Sequence, residues 1–409
     1  MLKGKIIVLG VTGSIAAYKA VDIASQLTQS GAKVDVIMTE AATRFIAPLT
    51  FQTITGRPVV TNMFTLSSES EVEHISLATA DVIAIAPATA NNIAKLASGI
   101  ADDMLCATVL ASKSPILIAP SMNVNMFENS IAQDNLSRLK ARGFTIVGPA
   151  SGRLASGKKG LGRFANATDI IGSICQVLGQ NGDLAGKHIV VTAGGTQEPI
   201  DPVRCITNRS SGKMGYTLAE AARDRGAMVT LVTAPTSLAK PVGMEIINIC
   251  TAREMYQAVR VATSQTDVLI MAAAVADYCP LRELDEKIKK ESTGLTLEME
   301  RTPDILVSMK GDFIKVGFAA ESNNLVENAR KKLQQKDIDL IVANDITSSD
   351  SGFGADDNRV TIIDRGDKTD NLPLLPKREV ADKILDKVAI LLATKSKQQL
   401  WLDNDKSNS

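Results

Sequence analysis

The chain has 409 residues, 45% of them hydrophobic and 22% charged, the balance of an ordinary globular protein with room for two or three domain cores. Its 45 basic and 45 acidic side chains cancel, which removes any global field for nucleic acid or an anionic membrane and sends the search for partners to local sites. Five cysteines (Cys106, Cys175, Cys205, Cys250 and Cys279) are odd in number and widely spaced, which argues against a disulfide framework and a zinc site and leads us to expect a reducing cytoplasm.

No apolar run reaches the roughly 20 residues of a membrane span. The run VLIMAAAVA from Val268 stays well short, and IIVLG near the start leads straight into TGS, so no targeting segment is expected. In the first half, β-branched runs predict strands at residues 6–9, 34–38, 82–86, 116–119 and 145–147, with helices between them. The segment APATANNIAKLASGIADD places Pro87, Ala88, Thr89 and Asn91 directly after a strand, where hydroxyls, an amide and exposed backbone groups can meet a ligand. The next strand ends in PSMNVNMF, at the same kind of edge. His74, one of two histidines, lies ahead of the third strand; a lone histidine is more often structural than a proton carrier. Residues 151–164, SGRLASGKKGLGRF, have the glycine and basic content of a mobile flap or of a solvated loop.

The opening βαβ pattern, GKIIVLGVTGSIAAYKAVDIASQL, returns after Gly186 as GKHIVVTAGG and, further on, KMGYTLAEAARDRGAMVTLVT. Two open α/β domains in tandem are therefore expected, at 1–180 and 186–395, with QNGDLAG as linker and 396–409 as a polar tail without order. Neither glycine turn has a full G-x-G-x-x-G, so nucleotide binding and a plain parallel sheet both remain open at this stage.

The second unit differs by a long insertion, residues 192–215, TAGGTQEPIDPVRCITNRSSGKMG, where a strand-to-helix crossing normally takes a handful of residues. Gly194 and Gly195, Arg204, Asn208 and then Ser210 to Lys213 before a helix start form a loop suited to an anion. It is not a Walker loop, because the G-x-x-x-x-G-K-[ST] spacing is absent and Met214 follows the lysine. Further strands are expected at 228–232, 267–273, 314–319 and 340–344. The helix LVENARKKLQQK carries Lys331, Lys332 and Lys336 near one face, and ADYCPLRELDEKIKK brings Asp277 and Lys287 towards the same sheet edge. Cations from separate segments at one edge suggest a polyphosphate ligand.

Taken together, GVTGSIAAYK, EHI, APATANNIAKLASGIADD and PSMNVNMF, followed by AGGTQEPIDPVRCITNRSSGKMG, AAAVADY, EKIKK, RTPDIL, GFAAES and IDLIVAND, identify a family. Along essentially its full length the chain resembles the bacterial bifunctional coenzyme A biosynthesis proteins, in which phosphopantothenoylcysteine decarboxylase is fused to phosphopantothenate–cysteine ligase. The resemblance implies two tandem open Rossmann-like domains, the first flavodoxin-like. That first domain would bind flavin mononucleotide (FMN) through Gly13, Ser14, Thr39, Pro87, Ala88, Thr89 and Asn91, and would form trimers with the active site between subunits. His74 matches the essential histidine and Asn123 the residue that holds the substrate carboxylate. A neutral amide suits a carboxylate about to leave as carbon dioxide, because a full charge would favour the ground state. The flavin would oxidise the cysteine thiol to a thioaldehyde, the electron sink for decarboxylation, and later return the electrons.

For the second half the resemblance implies CTP-dependent activation of 4'-phosphopantothenate to an acyl-cytidylate, then transfer to L-cysteine. Mg2+ would accompany the triphosphate; its protein ligands are not implied. Asn208 would steady the acyl-cytidylate. Met271, Ala272, Ala273, Asp277, Lys287, Pro303, Asp304, Ile305, Leu306, Phe318, Lys332 and Lys336 would hold CTP, and a dimer is expected. The chain departs from its family at one place: the flap motif SGxxACGxxGxGR has Ser156 where the family has its proton-donating cysteine. Release of carbon dioxide followed by a stalled or slow final reduction is therefore expected, since an alcohol is a far weaker acid than a thiol. Two other readings stand beside this one: a ligase carrying a catalytically impaired flavin-binding oligomerisation module, and a flavin-binding regulatory protein.

Overall fold

The computed structural model describes residues 1–64, 73–153, 157, 159–289, 295–321, 324–345 and 354–407. The chain divides into two units, Met1–Gly179 and Gln180–Ser409.

In the first unit, six parallel strands form one sheet: β1 (Ile6–Val11), β2 (Lys33–Met38), β3 (Val59–Val60), β4 (Val82–Ala88), β5 (Ile116–Pro120) and β6 (Thr145–Ile146). Their spatial order is β3-β2-β1-β4-β5-β6. Helices cover both faces, so the central strands are apolar at successive positions rather than alternating, and β4 is buried throughout. Helix Ala17–Gln29 shows the matching stripe, burying Ala17, Ala20, Ile23, Ala24 and Leu27. Strand order reverses between β1 and β4, and the crevice outside their carboxyl ends is where such sheets take ligands. Without the two-residue edge strand β3 the order is that of flavodoxin-like sheets. The glycine-rich stretch forms an antiparallel hairpin of β7 (Ala150–Arg153) and β8 (Lys159–Arg163).

The second unit repeats the scheme with β9 (His188–Ala193) at its centre. The insertion that follows folds as an antiparallel pair, β10 (Gln197–Pro199) and β11 (Cys205–Thr207). Then come β12 (Met228–Thr233), β13 (Glu245–Asn248), β14 (Val268–Met271), the small pair β15 (Tyr278–Pro280) and β16 (Met299–Arg301), β17 (Ile314–Glu321) and β18 (Leu340–Asp345). After β19 (Asp357–Asn358) the chain adds β20 (Val360–Asp364), β21 (Thr369–Asn371) and β22 (Leu375–Pro376), and the large sheet runs β13-β12-β9-β14-β17-β18-β20-β21. Its first six strands are parallel and follow the same order as the first sheet, which gives the sequence repeat its structural meaning. β20 and β21 continue the sheet in antiparallel sense.

Two expectations are corrected. Residues 180–186 are not a free linker: Leu184 is fully buried in the second core, its N–H donates to the Arg225 oxygen at 3.1 Å, and Arg225 pairs with Asp183 and Asp386. Residues 396–407 of the expected tail are not without order either, because helix Lys377–Ser407 continues through them, and residues 408 and 409 lie outside the described residues. No glycine or proline follows Lys395, and Lys, Gln and Leu are good helix formers.

Candidate functional site

In the first unit the expected flavin residues gather at the carboxyl ends of β1, β2 and β4. Gly13 follows β1, and a Cβ there would lie 2.4 Å from Ala41 Cβ, so only glycine lets this turn pass the start of helix Glu40–Thr43. Thr39 caps that helix, accepting from the Ala42 N–H at 3.3 Å. Thr12 ties β1 to β4, donating to the Pro87 oxygen at 2.7 Å and accepting from the Thr89 N–H at 3.0 Å. Pro87 and Ala88 end β4, Thr89 caps helix Ala90–Ser98, and Asn91 lies exposed in its first turn. Ser14 Oγ lies 3.1 Å from Ser121 Oγ, bringing the turn after β5 to the same edge.

Asn123 is in that turn and caps helix Val124–Glu128, its Oδ1 accepting from the Asn125 N–H at 2.9 Å. The cap uses the oxygen and leaves the Nδ2 donor for a ligand. His74 falls on helix Glu73–Leu77, which packs against helix Met104–Ala111, and its side chain lies outside the described residues. Ser156 lies outside the described residues.

In the second unit one cleft of about 840 Å³ opens at the carboxyl edge of the sheet. Asn208, Met271, Ala272, Ala273, Asp277, Pro303, Asp304, Ile305, Leu306, Phe318, Lys332 and Lys336 all line it. The cleft's floor is stitched from two loops: Ala273 N–H donates to Thr192 Oγ1 at 3.1 Å, Ala274 N–H to the Gly194 oxygen at 2.8 Å, and Ala276 N–H to Thr196 Oγ1 at 2.9 Å. Gly195 has to be glycine because a Cβ there would sit 2.7 Å from the Asn208 oxygen. On the opposite wall, Asp304 caps helix Ile305–Ser308 and pairs with Lys336 at 2.9 Å.

Lys287 is not among the lining residues and is exposed. Its segment is held nonetheless, because Asp201 Oδ2 accepts from the Ile288 N–H at 3.1 Å. Conversely, the sequence reading missed Asn344, Asn358 and Lys377, which the fold brings into the lining. The Asn344 Oδ1 is buried with no hydrogen-bond partner among the described residues. Its signal was an amide at the end of the buried run LIVAN. Lys213 and Lys377 begin helices, the end where a cation opposes the helix dipole. Both are held by residues 355–357: Lys213 pairs with Asp356 at 2.7 Å and Lys377 donates to the oxygens of Ala355 and Asp357. Burial, reinforced by the Lys213 charge, pushes the Lys377 pKa down, while the Lys213 hydrogen bond holds Asp356 below the usual carboxylate value. Cations and neutral donors thus surround a groove with two exposed acids, Asp277 and the Lys336-paired Asp304, in keeping with a polyanionic ligand. Among the described residues no group of three or more His, Cys, Asp or Glu side chains could hold a metal ion.

The family model described as "Flavoprotein" matches residues 1–179, and that described as "DNA/pantothenate metabolism flavoprotein C-terminal domain" matches residues 184–391. The coenzyme A biosynthesis bifunctional protein CoaBC of Bacillus subtilis is 46% identical over 398 residues, covering 96% of this chain and 98% of the relative. That of Vibrio vulnificus is 44% identical over 399 residues, covering 96% and 99%. A solved C-terminal domain of a CoaBC protein is 41% identical and covers 52% of this chain and 98% of its own, with a TM-score of 0.45.

Proposed function

Because the chain belongs to the family of bifunctional coenzyme A biosynthesis proteins, which join phosphopantothenate–cysteine ligase to phosphopantothenoylcysteine decarboxylase, we propose that its second unit is a CTP-dependent ligase and its first an FMN-dependent decarboxylase. The observation that carries the ligase reading is the convergence of Asn208, Asp277, residues 303–306, Phe318, Lys332 and Lys336, from separate segments, on one cleft.

In the ligase, Lys332 and Lys336 act as mobile point charges on the triphosphate. Pro303, Ile305, Leu306 and Phe318 form the apolar wall for the nucleoside. Asn208 steadies the acyl-cytidylate formed from 4'-phosphopantothenate while L-cysteine attacks. Mg2+ would accompany the nucleotide and would offset the charge of the triphosphate. Lys287 completes the phosphate contacts from its tethered segment.

In the decarboxylase, the residues at the edge of the first sheet suit a flavin mononucleotide: Ser14 and Thr39 supply hydroxyls, and the Gly13 turn gives close backbone approach to a phosphate. Bound there, the flavin supplies reversible two-electron chemistry. Asn123 Nδ2 orients the carboxylate of phosphopantothenoylcysteine, and His74 reaches the site from a neighbouring subunit of a trimer. The second unit forms a dimer, so the enzyme is a homo-oligomer. Among the described residues no helix is long and apolar enough to cross a membrane, and the cytoplasm is its proposed location. Ser156 favours a second reading, in which the first unit binds flavin and oligomerises but completes decarboxylation poorly.

Incubating the purified protein with CTP, 4'-phosphopantothenate and L-cysteine tests the ligase: phosphopantothenoylcysteine and CMP should form. No product with CTP, or equal rates with ATP, would overturn the proposal.

A further inference from the structure

The turn that carries Asn123 is gripped from two sides. From the sheet side, Ser121 N–H donates to the Ala88 oxygen at 3.0 Å and Ser121 Oγ meets Ser14 Oγ. From the other side comes β8, whose backbone lies directly on residues 122–124. Met122 N–H donates to the Gly162 oxygen at 3.1 Å. Gly162 has φ +135°, and a Cβ there would lie 2.4 Å from the Met122 oxygen; a Cβ on Gly160 would lie 2.8 Å from Val124 Cγ2. A side chain at Gly162 would push the strand off the Met122 carbonyl, and one at Gly160 would force Val124 or the strand to move, because real Cβ atoms essentially never approach so closely.

We propose that β8 is a brace for the Asn123 turn, and that Gly160 and Gly162 are positioning residues that hold the Asn123 amide in place through Met122 and Val124. The inference rests on the decarboxylase reading for its consequence, since Asn123 matters there as the carboxylate holder. The brace itself is a statement about packing. Asn123 spends its Oδ1 on the helix cap, so the direction of its Nδ2 follows the backbone of residues 122–125. That backbone is set by the β8 contact. A shift of about 1 Å in such a group costs up to on the order of a hundredfold in rate.

The experiment uses the flavin-loaded full-length protein in four forms: wild type, Gly160→Ala, Val124→Ala and the double variant. Carbon dioxide release is measured against phosphopantothenoylcysteine concentration, and amide hydrogen exchange over residues 121–127 is measured without substrate. Gly160→Ala should raise KM roughly tenfold, with kcat less affected, the flavin content unchanged and faster exchange at Met122, as expected for overpacking against Val124. Val124→Ala removes the methyl groups in the way, so the double variant should return to within about twofold of Val124→Ala alone, a non-additivity that marks direct contact. Wild-type KM and exchange in Gly160→Ala, or additive defects in the double variant, would overturn the brace. If the wild type releases no carbon dioxide, the decarboxylase reading fails, and exchange alone still decides the brace. Should Gly160→Ala not fold, Val124→Ile presses the same contact from the other side and is expected to behave likewise.

Discussion

Asn208 Nδ2 donates to the main-chain oxygen of Val275 at 2.9 Å, and lies 3.4 Å from that of Ala274. One amide thus fixes the insertion loop to the other wall of the cleft. In Asn208→Asp a carboxylate would face the Val275 carbonyl without a proton to share, and would repel the phosphate of the acyl-cytidylate. Acyl transfer should slow on the order of tenfold to a hundredfold, while CTP affinity changes little. Single-turnover transfer and CTP titration separate the two; a pure affinity defect with unchanged turnover would count against this role.

Lys287 is expected to matter although it does not line the cleft in this chain. Lys287→Gln keeps much of the stem and removes the charge, so the ligation rate at saturating CTP should fall roughly tenfold with the loss of a charge-assisted contact. Equal rates for the two proteins would remove Lys287 from the mechanism.

Asp201 holds that segment. Its Oδ1 accepts from the N–H groups of Val203 and Arg204, both at 2.8 Å, and its Oδ2 from Ile288 N–H and the Arg204 guanidinium. Burial alone would raise its pKa, but these N–H donors and the arginine charge together outweigh that and hold it below the ordinary value. With the folded value below the unfolded one, its stabilisation is complete above about pH 3.9 and is lost as the pH falls through the lower, folded value. Limited proteolysis within residues 281–289 should therefore stay slow in the wild type down to about pH 4. In Asp201→Asn it should already be fast at neutral pH, with a raised KM for CTP. Identical cleavage of both proteins at pH 7 would contradict the tether.

Ser156 calls for a kinetic test. The chain should release carbon dioxide and then stall, or turn over slowly, with reduced flavin and an enethiol product, because an alcohol is a poor general acid near neutral pH. Stopped-flow flavin absorbance on the wild type and Ser156→Cys should show faster anaerobic reoxidation in the cysteine form. Equal rates with the saturated thiol from both would show that Ser156 is no impediment.

The parallel strands were legible because burial on both faces leaves long β-branched runs, and each expected strand from residue 6 to residue 344 lies within two residues of an observed one. The closing strands were not: β21 is three polar residues, and β20, although β-branched, closes the sheet through antiparallel pairing that no local pattern announces. Leu184 looked like part of a linker because a single apolar residue among Gly, Asn and Asp carries no periodicity. The cleft was legible where residues sit at strand ends, as Asn208, Asp277 and Phe318 do in their motifs. Lys377 and Asn358 were invisible, since only the tertiary fold brings residues from beyond the sixth strand back to the loop that starts at Thr192.

Product analysis with the substrates supplied separately tests the central claim, two activities on one chain, most directly. With CTP, 4'-phosphopantothenate and L-cysteine the account predicts CMP and phosphopantothenoylcysteine, and with phosphopantothenoylcysteine alone it predicts carbon dioxide from the flavin-loaded protein. Ligation without any release of carbon dioxide from the supplied phosphopantothenoylcysteine, or release without ligation, would contradict it.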